Sequence, residues 1–175
     1  MSKQTCILYS PVSTFSGYGA CGRNFAKALI EIKGEEWDIK ILPCRWGNTP
    51  NNFLEINPEW EFLRSYFIEN ISYKPDYFFM HTIPGEFQAL GSVNIGVTAG
   101  IESTIAPADW VEGCQRMDMI LGSSNHTINV LRSSKFNKMD KNTNQPIGLI
   151  EWTKPGIALG EGMDTNIFTP LKWVD

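Results

Sequence analysis

Apolar and polar positions along the chain switch repeatedly between a strand-like and a helix-like spacing. Thr5–Ser10 (TCILYS) is a short apolar run stopped by Pro11, which predicts a buried strand. Within Arg23–Glu31, Phe25, Ala26, Leu29 and Ile30 fall on one helical face, and Gly34 offers a stop. Trp37–Leu42 alternates and predicts a second strand, ended by Pro43. Asn48–Pro58 is polar and reads as a loop, and Glu59–Glu69 reads as a helix. Tyr77–Met80 and Val93–Thr98 are strands, Pro107–Arg116 a helix with proline at its start, and Met117–Gly122 another strand. Ser123-Ser124-Asn125 supplies capping residues for a helix running to about Ser134. Lys135–Pro146 reads as an exposed excursion and Ile147–Trp152 as a strand or one arm of a hairpin. Ile157–Gly160 is a last short apolar run.

Strands that alternate with helices predict an α/β fold, a Rossmann-like parallel sheet flanked by helices on both faces. Ligands of such sheets bind beyond the carboxyl ends of the strands. That singles out the loops Pro11–Gly22, Pro43–Asn52, His81–Gly91, Ala99–Pro107 and Ser123–His126. No internal repeat or low-complexity tract interrupts the pattern.

Composition narrows the classes. With 42% hydrophobic and 19% charged residues in a 175-residue chain, a buried core is available and disorder is excluded. Fifteen basic against 19 acidic residues give a net charge of −4, which disfavours a nucleic-acid partner. Cys6, Cys21, Cys44 and Cys114 form no C-x-x-C pair and make no zinc pattern with His81 and His126, so they read as reduced thiols of a cytoplasmic protein. The apolar run Cys6–Tyr9 is too short for a signal-peptide core or a membrane span.

Gly17-Tyr18-Gly19-Ala20-Cys21-Gly22 matches G-x-G-x-x-G between a strand and a helix. Six residues, Pro11–Ser16, separate the strand from the first glycine, and no acid follows the second strand to meet a ribose hydroxyl. Arg45 stands there instead, which keeps an NADP-dependent reductase as an alternative. Whatever the ligand, glycines at a helix start allow close backbone approach and leave N–H groups for anions or hydroxyls.

Ser16-Gly17-Tyr18-Gly19, with Arg23-Asn24-Phe25 and Ala28-Leu29, resembles the first loop and helix of the GT-B glycosyltransferases of family 4, in their large-phage and bacterial branch. Val97–Thr104, then Pro107, Trp110, Gly113-Cys114 and Arg116-Met117-Asp118, resembles the same branch. So does Gly160–Pro170, whose G-x-D-x-x-x-F-x-P stretch marks the family's join between two Rossmann-like halves. The resemblance implies that residues 1–170 are the acceptor-side domain and that 171–175 begin a linker or tail. It implies transfer of a sugar from a nucleotide sugar to a sugar or other hydroxyl acceptor, with retention; the residues themselves offer no paired-carboxylate metal site, and no metal or cofactor is expected. The nucleotide sugar would bind mainly in a second domain, so the partners are that Rossmann-like half or, failing it, a second copy. A bacterial or infected host cytoplasm is the matching location. A non-catalytic binding or structural protein that kept the half-fold, such as a phage or bacterial assembly component, is the further alternative.

On this reading His81 and Glu102 are the candidate catalytic residues. His81 closes the aromatic strand, where family members often carry a histidine; after the next strand this chain has Ala99 and Gly100 instead. Glu102, just past that strand, would accept hydrogen bonds from sugar hydroxyls, or act as a base if burial raised its pKa. Gly17, Tyr18, Gly19, Arg23 and Trp46 are the candidate substrate-binding residues: the glycines as a cradle, Arg23 towards a phosphate or carboxylate, Tyr18 and Trp46 stacking on a sugar face. Trp110 and Met117 read as packing residues, Asp118 and Asp164 as turn-fixing acids.

Overall fold

The computed structural model describes residues 3–140, 142–162 and 169–170. The chain runs β1 (Gln4–Ser10), α1 (Gly17–Lys33), β2 (Trp37–Pro43), α2 (Phe53–Ile56), β3 (Tyr77–His81), β4 (Val93–Thr98), α3 (Ala108–Arg116), β5 (Met119–Gly122), α4 (Asn125–Ser133), β6 (Phe136–Met139), β7 (Pro146–Ile150) and β8 (Gly156–Ala158). Six strands form one sheet in the order β2-β1-β3-β4-β5-β8, parallel at every pairing. The fold is therefore α/β with a Rossmann-like parallel sheet, as the sequence predicts. The chain leaves β1 towards β2 on one side and returns to β3 on the other, so the order reverses between β1 and β3.

Strand alternation sends side chains to two separate cores. Cys6, Leu8, Ile39, Ile41, Phe79 and Val97 face α1 and the segment around α2, where Ala26, Leu54 and Leu63 meet them. Ile7, Phe78, Met80 and Ile120 face the opposite layer, against Val111, Cys114, Val130 and Leu131 of α3 and α4. Met117 is fully buried and Trp110 packs against this second core, both as expected.

Three boundaries differ from the sequence reading. Helix α1 begins at Gly17 rather than near Arg23, because Ser16 caps it: its hydroxyl accepts the Gly19 N–H at 2.8 Å. The polar stretch Asn48–Pro58 contains the short helix α2, and the helix expected over Glu59–Glu69 is a 3-10 segment, Pro58–Tyr66. The expected excursion Lys135–Pro146 supplies β6, which pairs antiparallel with β7. Among the described residues no helix is long and apolar enough to cross a membrane, and Cys6, Cys21, Cys44 and Cys114 are all free thiols.

Candidate functional site

The carboxyl ends of β1 and β3 place Ser10 beside His81 at the point where the strand order reverses, the position at which sheets of this kind bind ligands. Ser10 Oγ and His81 Nδ1 lie 3.1 Å apart. Relative exposures of 0% and 1% show that neither side chain is open to bulk solvent. Gly22 makes the pair possible. A Cβ there would run into Ser10 Oγ and lie 3.2 Å from His81 Nδ1. Burial pushes the His81 imidazole down to about 4, so the ring is neutral at pH 7.

Above this pair the loop Pro11–Ser16 is held from within. Arg23 is buried, and its Nη1 donates to Val12 O and to Thr14 O, each at 2.9 Å. Its guanidinium carbon sits 3.4 Å from the centre of the Phe53 ring. Burial lowers its pKa to about 10, which still leaves it charged at neutral pH. Gly19 lets the helix start approach the loop, since a Cβ there would strike the Thr14 carbonyl. Tyr18 spans the top of the sheet. Its hydroxyl lies 3.0 Å from Thr98 Oγ1 and accepts the Ala99 N–H at 3.2 Å, and its ring stacks on Trp46 with centroids 4.1 Å apart.

Beside His81 opens a cavity of about 390 Å³ between the start of α1 and the ends of β4, β5 and β8. Ala20, Phe25, Ala28, Val97, Leu121 and Leu159 give it an apolar floor and wall. Its polar groups are His81, Asn24, Thr98, Ser123 and Glu161. With Nδ1 directed at Ser10, Nε2 is the imidazole nitrogen left for this space. Ser123 donates its hydroxyl proton to Ala99 O at 2.7 Å, so lone pairs remain for an incoming donor. The Cys21 thiol, also on the wall, is pushed up to about 11 by burial with a further rise from Glu161, and is un-ionised at pH 7. Among the described lining residues Glu161 is the one charged group and there is no lysine or arginine.

Comparison with protein-family models, with curated proteins and with solved structures found no match.

Of the predicted site residues, His81 and Gly17 line the cavity, Tyr18 lies beside His81 with ring centroids 5.1 Å apart, and Gly19 faces the Thr14 loop. Gly17 lines the cavity with nothing within 4 Å of an added Cβ. Arg23 faces the loop carbonyls and the Phe53 ring, which corrects the expectation of an arginine reaching a ligand phosphate. Tyr18 and Trp46 cover each other, so Tyr18 does not offer that face to a sugar. Glu102 is exposed on the loop after β4 and does not line the cavity. The three glycines of G-x-G-x-x-G lie inside the first two turns of α1 rather than in a tight strand-to-helix turn. Asp118, expected to fix a turn, instead ties the segment between α3 and β5 to β4 by accepting the Asn94 N–H at 2.8 Å. Asp164, most of the G-x-D-x-x-x-F-x-P stretch and the expected tail 171–175 lie outside the described residues. Among the described residues no cluster of three His, Cys, Asp or Glu side chains could hold a metal ion.

Sequence reasoning reached Ser123 only as the start of the Ser123–His126 loop and missed Ser10. Ser123 follows a strand end, where loop-edge inspection of a parallel sheet looks, whereas the role of Ser10 shows only once β1 and β3 are paired.

Proposed function

We propose that this chain is the acceptor-side lobe of a GT-B-type sugar transferase that takes its donor from a nucleotide sugar. The observation that carries the reading is His81: a neutral imidazole, steadied through Nδ1 by Ser10, on the wall of a cavity at the carboxyl edge of a parallel sheet. Such a ring hydrogen-bonds a hydroxyl in either direction, according to its tautomer. Thr98 and Ser123 add hydroxyl groups on the same wall. The order of the sequence motifs, from the Ser16–Gly19 loop to the Gly160–Pro170 stretch, adds support. In this role His81 orients the acceptor hydroxyl. With a pKa of about 4 it is a weak base at neutral pH, so proton removal falls to another group. The nucleotide sugar would be held by a second Rossmann-like lobe.

A binding protein without catalysis is the second reading. It is favoured by the same pKa, because a cavity whose histidine stays neutral suits recognition without proton transfer. A reductase gains nothing from the glycines, which serve helix packing at Gly19 and Gly22. Following the His81 imidazole by NMR during addition of hexoses, UDP-glucose and NADPH tests these readings. Hexose-dependent shifts of His81 that vanish in His81→Gln are expected. Micromolar NADPH binding with no response to any sugar would overturn the proposal.

A further inference from the structure

The cavity beside His81 has a lining that selects among acceptors, and this inference rests on the acceptor-lobe reading. Its outer wall is the exposed face of α1, where Gly17, Ala20, Asn24 and Ala28 recur at helical spacing. A solvent-facing helix stripe is ordinarily charged. This one carries no charge at those four positions, and two of them are alanine. Across the cavity, Val97 and Leu121 form the floor and Leu159 the far side. The apolar surface continues past the rim. Ile157 pairs in register with Leu121, so both project from the same sheet face. Ile157 is 52% exposed and Leu159 48% exposed. His81 heads this row, since it pairs in register with Val97 and Val97 with Leu121; Thr98 stands beside it at the tip of β4, while Ser123 and Leu159 lie together beyond the tips of β5 and β8. Glu161 is the single charge among the described lining residues, and it repels anions.

We infer that the cavity takes an uncharged amphiphilic acceptor, with a hydroxyl-bearing head at His81 and Thr98 and an apolar body lying along the row Val97, Leu121 and Ile157, covered by Phe25 and Ala28. A phosphate-rich molecule is unsuited to it, because among the described lining residues there is no cation and there is one carboxylate, Glu161. A free hexose would leave the apolar floor uncovered. The volume, about 390 Å³, lies within the range of small-molecule sites. The apolar body has two chemical forms, alkyl and aryl, and both are served by the same surface.

Calorimetric titration with methyl, butyl and hexyl β-D-glucoside, phenyl β-D-glucoside, 1-hexanol and UMP tests the inference. Affinity is expected to rise about fourfold for each methylene that enters the cavity. Comparison of the phenyl and hexyl arms tells which body fits better, and UMP is expected not to bind. Ala28→Glu sits on an exposed helix position that tolerates glutamate, so the fold is expected to survive, as thermal unfolding will show. That variant is expected to weaken hexyl glucoside more than tenfold and methyl glucoside little. Equal affinity for the methyl and hexyl forms, an Ala28→Glu protein that binds as the parent does, or no binding by any probe would each overturn the inference. Glucosides that depend on His81 but not on chain length would sink the inference alone. Chain-length dependence without any effect of His81→Gln would retain the apolar site and sink the acceptor-lobe reading.

Discussion

Ser10 Oγ meets His81 Nδ1 at 3.1 Å across the reversal between β1 and β3, with both side chains closed off from bulk water. His81 lines the cavity and Ser10 does not, so Ser10 is placed behind the imidazole and not against a ligand. Its contribution is to fix the imidazole plane and leave Nε2 pointing elsewhere. Ser10→Ala is expected to cost about 1–3 kcal/mol, the penalty for a buried partner left unpaired. Urea unfolding measures this, and a loss below ~0.5 kcal/mol would mean the pair is not formed.

The same histidine sets a pH dependence. It takes up a proton near 6.5 when unfolded and near 4 when folded. Between those values the unfolded chain binds more protons, so stability falls as pH falls. The contribution is intact above 6.5 and gone below 4, and amounts to roughly 3 kcal/mol. Thermal unfolding of wild type and His81→Asn from pH 7.5 to 4 will show a steeper decline in the wild type. Asp76, Asp118 and Asp140, held low mainly by backbone N–H donors, add losses at lower pH that are common to both proteins.

The glycines of the helix start are not equivalent. Gly22→Ala drives a methyl group into Ser10 Oγ and towards His81 Nδ1 and is expected to destabilise by about 2 kcal/mol or more. Gly17→Ala meets nothing within 4 Å and is expected to stay within about 0.5 kcal/mol of wild type. Parallel denaturant curves separate the two. Similar losses would show that the close approach at Gly22 is not the cause.

Arg23→Ala removes two hydrogen bonds from a charged donor and the contact with Phe53. A loss on the order of 3 kcal/mol is expected. Arg23→Lys is expected to recover only part of it, because an ammonium lacks the flat face that lies on the Phe53 ring. Full stability in Arg23→Ala would contradict the clamp.

Gly100 has φ +85°, and a Cβ there would overlap the Thr127 side chain. Gly100→Ala combines backbone strain with that overlap and is expected to cost about 2–4 kcal/mol. Gly148→Ala, where a Cβ meets nothing within 4 Å, is the comparison. Equal effects would show that the β4 loop does not depend on the left-handed residue.

The strands were legible because apolar runs such as Cys6–Tyr9 and Tyr77–Met80 stand out at any scale of inspection. The start of α1 was not, because glycines argue against helix while the features that outweigh them, the Ser16 cap and the approaches at Gly19 and Gly22, are three-dimensional. The hairpin of β6 and β7 was half hidden, since β6 is largely polar and exposed. His81 could be picked out as the end of a strand. Ser10 could not, since its partner is 71 residues away and only the β1–β3 pairing unites them. Arg23 misled for a related reason: sequence shows a cation near a helix start but not the carbonyls that turn back towards it.

Those carbonyls carry one last implication. With Arg23 gripping Val12 and Thr14, the first bend of the chain is already frozen, and Tyr18 pins the neighbouring β4 turn at Ala99. On this side of the rim a guest meets main chain that these bonds already hold, so there the entropic toll of complexation falls mainly on the guest.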